Sequence, residues 1–156
     1  MLDYVFKTHT PKETSDFGRM VAPYLFPQTV ITLSGDLGAG KTTFAGGLAH
    51  GLGIHEKIIS PTFNIMRCYF NAELPLFHID AYRLESGNKE LGLEEFIEGN
   101  GVALIEWPQY IREIIPSNAL NIVITNLGED LREVHISTSN PAFEKLFAKI
   151  REEFVW

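Results

Sequence analysis

The spacing of apolar residues divides the chain into helices and strands. An apolar face recurs at helical intervals from Phe17 to Leu25. The sequence TPKE at residues 10–13 precedes that face and supplies a hydroxyl cap, a proline at the first helical position and Glu13, which is spaced to reach back to the cap amide. The pattern predicts a first helix that begins after the cap and ends before Pro27, since proline interrupts helices.

A short apolar run, TVITL at residues 29–33, predicts a buried strand because β-branched residues dominate it. A glycine-rich turn follows, and from Lys41 the sequence KTTFAGGLAHGLG predicts a second helix with Gly53 at its C-terminal cap. Gly46 and Gly47 each weaken this helix by about 1 kcal/mol relative to alanine. Their presence indicates close packing against another element.

Further apolar runs predict more strands, and amphipathic stretches predict two more helices. The strands are expected at residues 64–70, 74–79, 102–105, 120–125 and 134–138, and the helices at 88–97 and 141–154. Strands that alternate with helices are typical of an α/β fold with a mainly parallel central sheet. Because the segment LGED at residues 127–130 joins the last two strands by a short connection, we expect these strands to form an antiparallel hairpin at one edge.

Composition narrows the class of protein. A length of 156 residues predicts a single domain, and the net charge of −7 disfavours binding of nucleic acid by electrostatics alone. Cys68 is the single cysteine, so no intramolecular disulfide can form, which favours a reducing compartment. Because the sequence shows neither a cleavable leader nor an apolar run of membrane-spanning length, we expect a cytoplasmic protein without membrane contact.

The glycine-rich turn between the first strand and the second helix matches the phosphate-binding pattern G-x-x-x-x-G-K-[ST] over residues 35–42. Glycines allow backbone N–H groups to face phosphate oxygens, and the following helix adds its positive N-terminal end. Lys41 is predicted to reach the β- and γ-phosphates, and the Thr42 hydroxyl to bind Mg²⁺. The residues expected to hold the nucleotide are Asp36, Leu37, Gly38, Ala39, Gly40, Lys41, Thr42 and Thr43. The pattern thus predicts a three-layer P-loop NTPase fold that binds ATP or ADP.

Carboxylates end two of the predicted strands. Asp80 follows LPLFHI and Glu106 follows VALI, and ligands of open α/β sheets bind at the carboxyl ends of strands. We expect Asp80 to be the outer-shell Mg²⁺ carboxylate and Glu106 to orient or activate the attacking water, both beside the metal with Thr42. Thr62, in SPTF at residues 60–63, is a candidate for sensing the γ-phosphate, and an ordinary turn hydroxyl is an equal alternative.

Other polar and aromatic residues leave their roles open. Arg83 is a candidate for contact with a phosphate or a partner, or for simple solvation. Trp107 can cover the nucleotide, dock a partner or lie at the edge of the core. The five histidines show no metal-ligand spacing, and His78 is predicted to be structural.

Several classes of P-loop protein fit the motif less well than an ATPase does. The guanine-reading pattern N-K-x-D is missing, since NKEL at residues 88–91 is the one Asn-Lys pair, and this favours adenine. A small-molecule kinase remains an alternative, although no arginine-rich lid follows the core strands. A nucleotide-gated binding module with negligible catalysis is a further alternative.

Four segments in order resemble the TsaE (YjeE) family of small bacterial P-loop ATPases: SGDLGAGKTTF at 34–44, SPTF at 60–63, HIDAYR at 78–83 and IEWP at 105–108. The resemblance covers almost the whole chain. It implies an ATPase of tRNA threonylcarbamoyladenosine formation that works with partner proteins TsaB and TsaD and meets tRNA mainly through them. It also supports functional roles for Lys41, Thr42, Thr62, Asp80 and Glu106.

Overall fold

The computed structural model of the chain describes residues 1–36, 38–59, 61, 65–70, 72–86 and 92–155. Its strands are β1 (Leu2–Thr8), β2 (Val30–Ser34), β3 (Met66–Tyr69), β4 (Leu76–Asp80), β5 (Val102–Glu106), β6 (Leu120–Gly128) and β7 (Leu131–Thr138). Its α-helices are α1 (Pro11–Val21), α2 (Lys41–Gly51), α3 (Leu93–Ile97) and α4 (Glu144–Glu153). Short 3₁₀ segments cover Ala22–Tyr24, Tyr82–Ser86, Pro108–Ile114 and Pro141–Phe143.

The strands form one seven-stranded sheet in the order β1-β7-β6-β2-β5-β4-β3. The four central strands, β6, β2, β5 and β4, are parallel to one another. Antiparallel partners flank them on both sides, β7 and β1 at one edge and β3 at the other. The predicted α/β fold with a parallel centre and an antiparallel edge hairpin is confirmed, with a second antiparallel pair at the opposite edge.

Side chains that alternate along the central strands bury both faces of the sheet, as expected for parallel strands covered by helices. On one face, Leu33 of β2 and Leu104 of β5 belong to the same apolar cluster as Phe17 of α1, Phe44 of α2 and Phe147 of α4. On the other face, a second cluster joins strand residues to α3 and the 3₁₀ segment at 108–114, and it includes Val30, Ile79, Ala103, Ile105, Leu93, Ile97 and Ile111. Helices on both sides of the sheet give the predicted three layers.

Capping residues fix the start of α1. The Thr10 hydroxyl accepts a hydrogen bond from the Glu13 amide at 3.1 Å, as the capping sequence predicts. The Glu13 carboxylate accepts from the amide of His9 at 2.6 Å, so the expected return bond goes to the residue before the cap rather than to the cap itself. α1 ends at Val21 and a 3₁₀ turn continues to Tyr24, ahead of Pro27.

Close packing between α1 and α2 explains one of the two helix glycines. A Cβ atom on Gly47 would lie 2.0 Å from the carbonyl oxygen of Ser15, whereas a Cβ on Gly46 would have no neighbour within 4 Å. The expectation of close packing therefore holds for Gly47 and is wrong for Gly46.

Several element boundaries differ from those predicted. The apolar pattern did not predict β1, which pairs with β7 from Leu2↔Thr138 to Thr8↔Arg132. The last predicted helix splits into a 3₁₀ turn and α4. The helix predicted at 88–97 is described from residue 92 onward, and there α3 spans Leu93–Ile97. Within the described residues, no helix combines the length and apolar character needed to cross a membrane.

Candidate functional site

Three neighbouring strands end at the same level of the sheet. In the register of the parallel pairs, Leu33 of β2 lies opposite Glu106 of β5, and Glu106 lies opposite Asp80 of β4. The glycine-rich loop leaves β2 one residue after this row, at Ser34. Loop and carboxylates therefore meet at the carboxyl edge of the parallel sheet, where α/β folds bind ligands.

The loop enters α2 through a left-handed residue. Gly40 caps the helix with φ 103° and ψ 15° and no side-chain cap, a conformation that costs other residues steric strain. The amides of the first helical turn lack intrahelical partners, and the helix dipole is positive there. The loop borders a cavity of about 650 Å³ that is lined by Gly38, Gly40, Lys41, Thr42, Thr43, Asp80, Tyr82, Glu106, Trp107 and Arg132.

The Lys41 ammonium lies between an acid and an aromatic ring. Its Nζ is 3.7 Å from Oε1 of Glu106 and 4.6 Å from the centroid of the Trp107 ring. Lys41 and Glu106 are both buried, so the charge of the lysine is balanced by a carboxylate and by the negative face of the indole.

Glu106 has a second partner on the adjacent strand. Nε2 of His78 lies 2.6 Å from Oε2 of Glu106, and His78 is completely buried. The other ring nitrogen, Nδ1, is buried without a hydrogen-bond partner among the described residues. His78 is thus a core residue, as predicted, and in addition it contacts a carboxylate of the cavity.

Asp80 is held by the turn that follows β4. Its Oδ1 accepts the Tyr82 amide at 3.0 Å. Burial raises the pKa of the Asp80 carboxyl, and the neighbouring Glu106 adds to the rise, while the Tyr82 amide and the Lys41 charge oppose it. Two acids side by side in a buried site favour the binding of a cation there.

Aromatic side chains form one wall of the cavity. Trp107 directly follows β5 with φ 57° and ψ 52°, a strained backbone conformation of the kind that collects at functional sites. Its ring centroid lies 5.1 Å from that of Tyr82 and 6.3 Å from that of Tyr110. Tyr82 was not predicted to line the site, although it belongs to the HIDAYR segment that contains Asp80.

Arg132, near the start of β7, lines the cavity and contacts the loop. Its Nε donates to the carbonyl of Ala39 at 3.0 Å and one Nη donates to the carbonyl of Gly38 at 3.2 Å. The other Nη donates to Oδ1 of Asn126 at 3.0 Å and to the carbonyl of Glu129 at 2.7 Å. No motif contains Arg132, and sequence analysis missed it.

The remaining predicted site residues fall into different places. Thr42 and Thr43 line the cavity. The Asp36 side chain is exposed, and its carbonyl accepts the Ala39 amide at 3.0 Å. Ala39 is fully buried and contacts Arg132 through its backbone carbonyl.

Arg83 is exposed and lies outside the cavity lining. Leu37 and Thr62 lie outside the described residues.

Comparisons with known proteins identify a family and a similar structure. The family model described as "Threonylcarbamoyl adenosine biosynthesis protein TsaE" matches residues 8–134. The chain is 44% identical over 141 residues to the tRNA threonylcarbamoyladenosine biosynthesis protein TsaE of Bacillus subtilis (strain 168), covering 90% of this chain and 89% of that protein. It is 36% identical over 132 residues to the protein of the same name from Treponema pallidum (strain Nichols), covering 83% and 97%. The crystal structure of Bacillus subtilis YdiB superposes with a TM-score of 0.83 at 38% identity, covering 97% of this chain and 96% of that one.

Proposed function

The chain belongs to the TsaE family of tRNA threonylcarbamoyladenosine biosynthesis proteins, and on that premise we propose that it is an Mg²⁺-dependent ATPase. It binds ATP at the loop of residues 35–42 and hydrolyses it to ADP and phosphate. The observation that supports this most directly is the convergence of Lys41, Asp80 and Glu106 on one cavity beside the N-terminus of α2. A positive group, helix-terminal amides and two acids are the components that phosphoryl-transfer sites require.

Each side chain has a role in this proposal. Lys41 moves from Glu106 to the β- and γ-phosphate oxygens, where its charge stabilises the charge that develops on the transferred group. Glu106 orients a water molecule for in-line attack on the γ-phosphorus, and the bond between that phosphorus and the leaving ADP oxygen breaks. The wall formed by Trp107 and Tyr82 shields the phosphates from solvent, which strengthens these interactions.

The donor set fits Mg²⁺. The Thr42 hydroxyl and the carboxylates of Asp80 and Glu106 line the same cavity, and Mg²⁺ prefers oxygen ligands from one or two carboxylates together with phosphates and water. Among the described residues, no group of three His, Cys, Asp or Glu side chains can hold a metal by itself, which agrees with a cation that the nucleotide helps to bind. When bound, Mg²⁺ neutralises negative charge on the phosphate oxygens.

We further propose that the protein acts as a single domain in the cytoplasm together with TsaB and TsaD. The net charge of −7 supports contact with tRNA mainly through these partners, because an acidic chain gains little from phosphate backbones.

The proposal is tested by ATP hydrolysis assays with the protein alone and with TsaB and TsaD. We expect low phosphate release by the isolated protein and stimulation by the partners; no release in any nucleotide or metal condition would overturn the proposal. A phosphorylated small-molecule acceptor in place of free phosphate would identify a kinase instead. Retention of pathway function in Glu106→Gln would favour a nucleotide-gated binding module.

A variant pair isolates the phosphate-binding role. Lys41→Ala is expected to abolish ATP binding measured by calorimetry, because the main positive side chain facing the phosphates is lost. Lys145→Ala, at an exposed position of α4, serves as the matched control and should bind ATP like the wild type.

A further inference from the structure

The contact between His78 and Glu106 gives a buried histidine a role in nucleotide binding. We propose that His78 is a positioning residue: by holding one carboxylate oxygen of Glu106, it keeps Lys41 available to the phosphates. This inference rests on the proposed ATPase function.

The direction of the hydrogen bond follows from the chemistry of the two groups. A carboxylate can only accept, so Nε2 of His78 donates to Oε2 of Glu106 across their 2.6 Å separation. Nδ1 has no partner in the described structure and is buried, so this single bond is the polar contact that fixes the ring. The ring in turn has nowhere to move, because His78 is fully buried in β4 between its strand neighbours.

The same bond limits the pairing between Glu106 and Lys41. With Oε2 engaged by His78, Oε1 faces the lysine at 3.7 Å, well beyond the roughly 2.7–2.9 Å of a charge-assisted N–H···O bond. Glu106 therefore neutralises the ammonium electrostatically without holding it by a short hydrogen bond. Among the described residues, phosphate oxygens that enter the cavity have this loose pair and the Trp107 ring contact to replace.

Loss of the histidine donor would change this balance. Glu106 would be free to rotate about its side-chain bonds and to close directly onto Lys41, because no other hydrogen bond to its carboxylate is present among the described residues. A tight Lys41–Glu106 pair competes with phosphate for the same ammonium. The consequence is weaker ATP binding caused by a residue that does not face the cavity.

The experiment compares His78→Leu, which removes the donor, with His78→Gln, whose amide can donate from about the position of Nε2. ATP affinity is measured by calorimetry and hydrolysis by phosphate release, with thermal unfolding as the check on folding. His78→Leu is expected to bind ATP about tenfold more weakly, and His78→Gln within about threefold of the wild type. His50→Leu, an exposed histidine at the far end of α2, is the matched control.

A double-mutant cycle separates positioning from a purely structural effect. In a Glu106→Gln background the neutral amide cannot form an ion pair with Lys41, so His78→Leu should leave ATP affinity unchanged there. An equal loss of affinity in both backgrounds, or a loss of stability without a loss of affinity in the single variant, would overturn the proposal.

A spectroscopic readout distinguishes failure of this inference from failure of the proposed function. In nucleotide-free wild-type protein, NMR should show a protected His78 Nε2–H resonance that moves upfield in Glu106→Gln. Absence of that resonance overturns the positioning role even where ATP binds. A wild type that shows the resonance and binds no ATP refutes the proposed function, and with it the consequence for phosphate binding that we draw from the contact.

Discussion

The guanidinium of Arg132 donates from Nε to the carbonyl oxygen of Ala39 at 3.0 Å, joining positions 93 residues apart in the chain. A second donation, from an Nη atom to the carbonyl of Gly38, gives Arg132 two hydrogen bonds to the glycine-rich loop of residues 35–42. Because both acceptors are backbone carbonyls, the contact favours a loop in which these carbonyls point toward β7. The β6–β7 hairpin therefore stabilises the shape of a loop with which it shares no sequence motif.

Arg132→Ala should weaken ATP binding by about tenfold or more, since hydrogen bonds to a charged donor contribute about 1.5–3 kcal/mol each. Arg132→Lys should rescue little, because an ammonium lacks the planar fork that reaches two carbonyls and Asn126 together. Calorimetry with ATP measures both effects. Arg19→Ala, at an exposed position on α1, is the control. Equal ATP affinities in all these variants would contradict the proposed role of Arg132 in holding the loop.

Asp80→Asn should raise the thermal stability of the nucleotide-free protein at neutral pH. Burial raises the pKa of Asp80, so the folded state binds a proton more readily than the unfolded state and the ionised carboxylate destabilises the fold. Thermal unfolding measures the gain, since each kcal/mol of stability corresponds to about 2–4 °C in the melting temperature of a chain of this size. The gain should shrink as the pH falls, because wild-type Asp80 then becomes neutral as well.

The exposed Asp130→Asn is the control for that measurement and should show no comparable gain. The stabilised Asp80→Asn variant should also bind ATP with a weaker dependence on Mg²⁺, since an amide is a poorer ligand than a carboxylate. A lower melting temperature at neutral pH would show that ionised Asp80 stabilises the fold.

Gly47→Ala and Gly46→Ala should have opposite effects on stability. At Gly47 a methyl group would overlap the Ser15 carbonyl and force α1 and α2 apart, at a cost of about 1–3 kcal/mol or more. At Gly46 the methyl group meets nothing within 4 Å, and alanine should stabilise the helix by up to about 1 kcal/mol. Chemical denaturation measures both, and equal shifts in the two variants would contradict the packing argument.

Thr10→Ala should destabilise the protein by about 1 kcal/mol, because the hydroxyl accepts the Glu13 amide at the start of α1. Thr10→Ser keeps the acceptor and is expected to retain most of the stability. Equal free energies of unfolding for Thr10→Ser and Thr10→Ala in chemical denaturation would contradict a capping role.

Local patterns in the sequence were sufficient to predict much of the fold. β-branched and apolar runs predicted the central strands, since strands buried on both faces are nearly continuously apolar, and the capping sequence predicted the start of α1. β1 was not predicted from the sequence. Its mixed polar and apolar segment, LDYVFKT, is stabilised as a strand by pairing with β7, whose partner residues lie about 130 positions away. The register shift between Asn126 and Gly128 in the hairpin is likewise a product of pairing.

The sequence by itself determined the family, the position of the glycine-rich loop with Lys41, and the two strand-end acids, because each depends on residue identity within one short segment. The tertiary structure alone decided that His78 holds Glu106, that Trp107 lies against Lys41, and that Arg132 holds the loop. These contacts join separate segments of the chain. Their distances and directions depend on strand register, backbone conformation and burial, and no local spacing encodes those quantities.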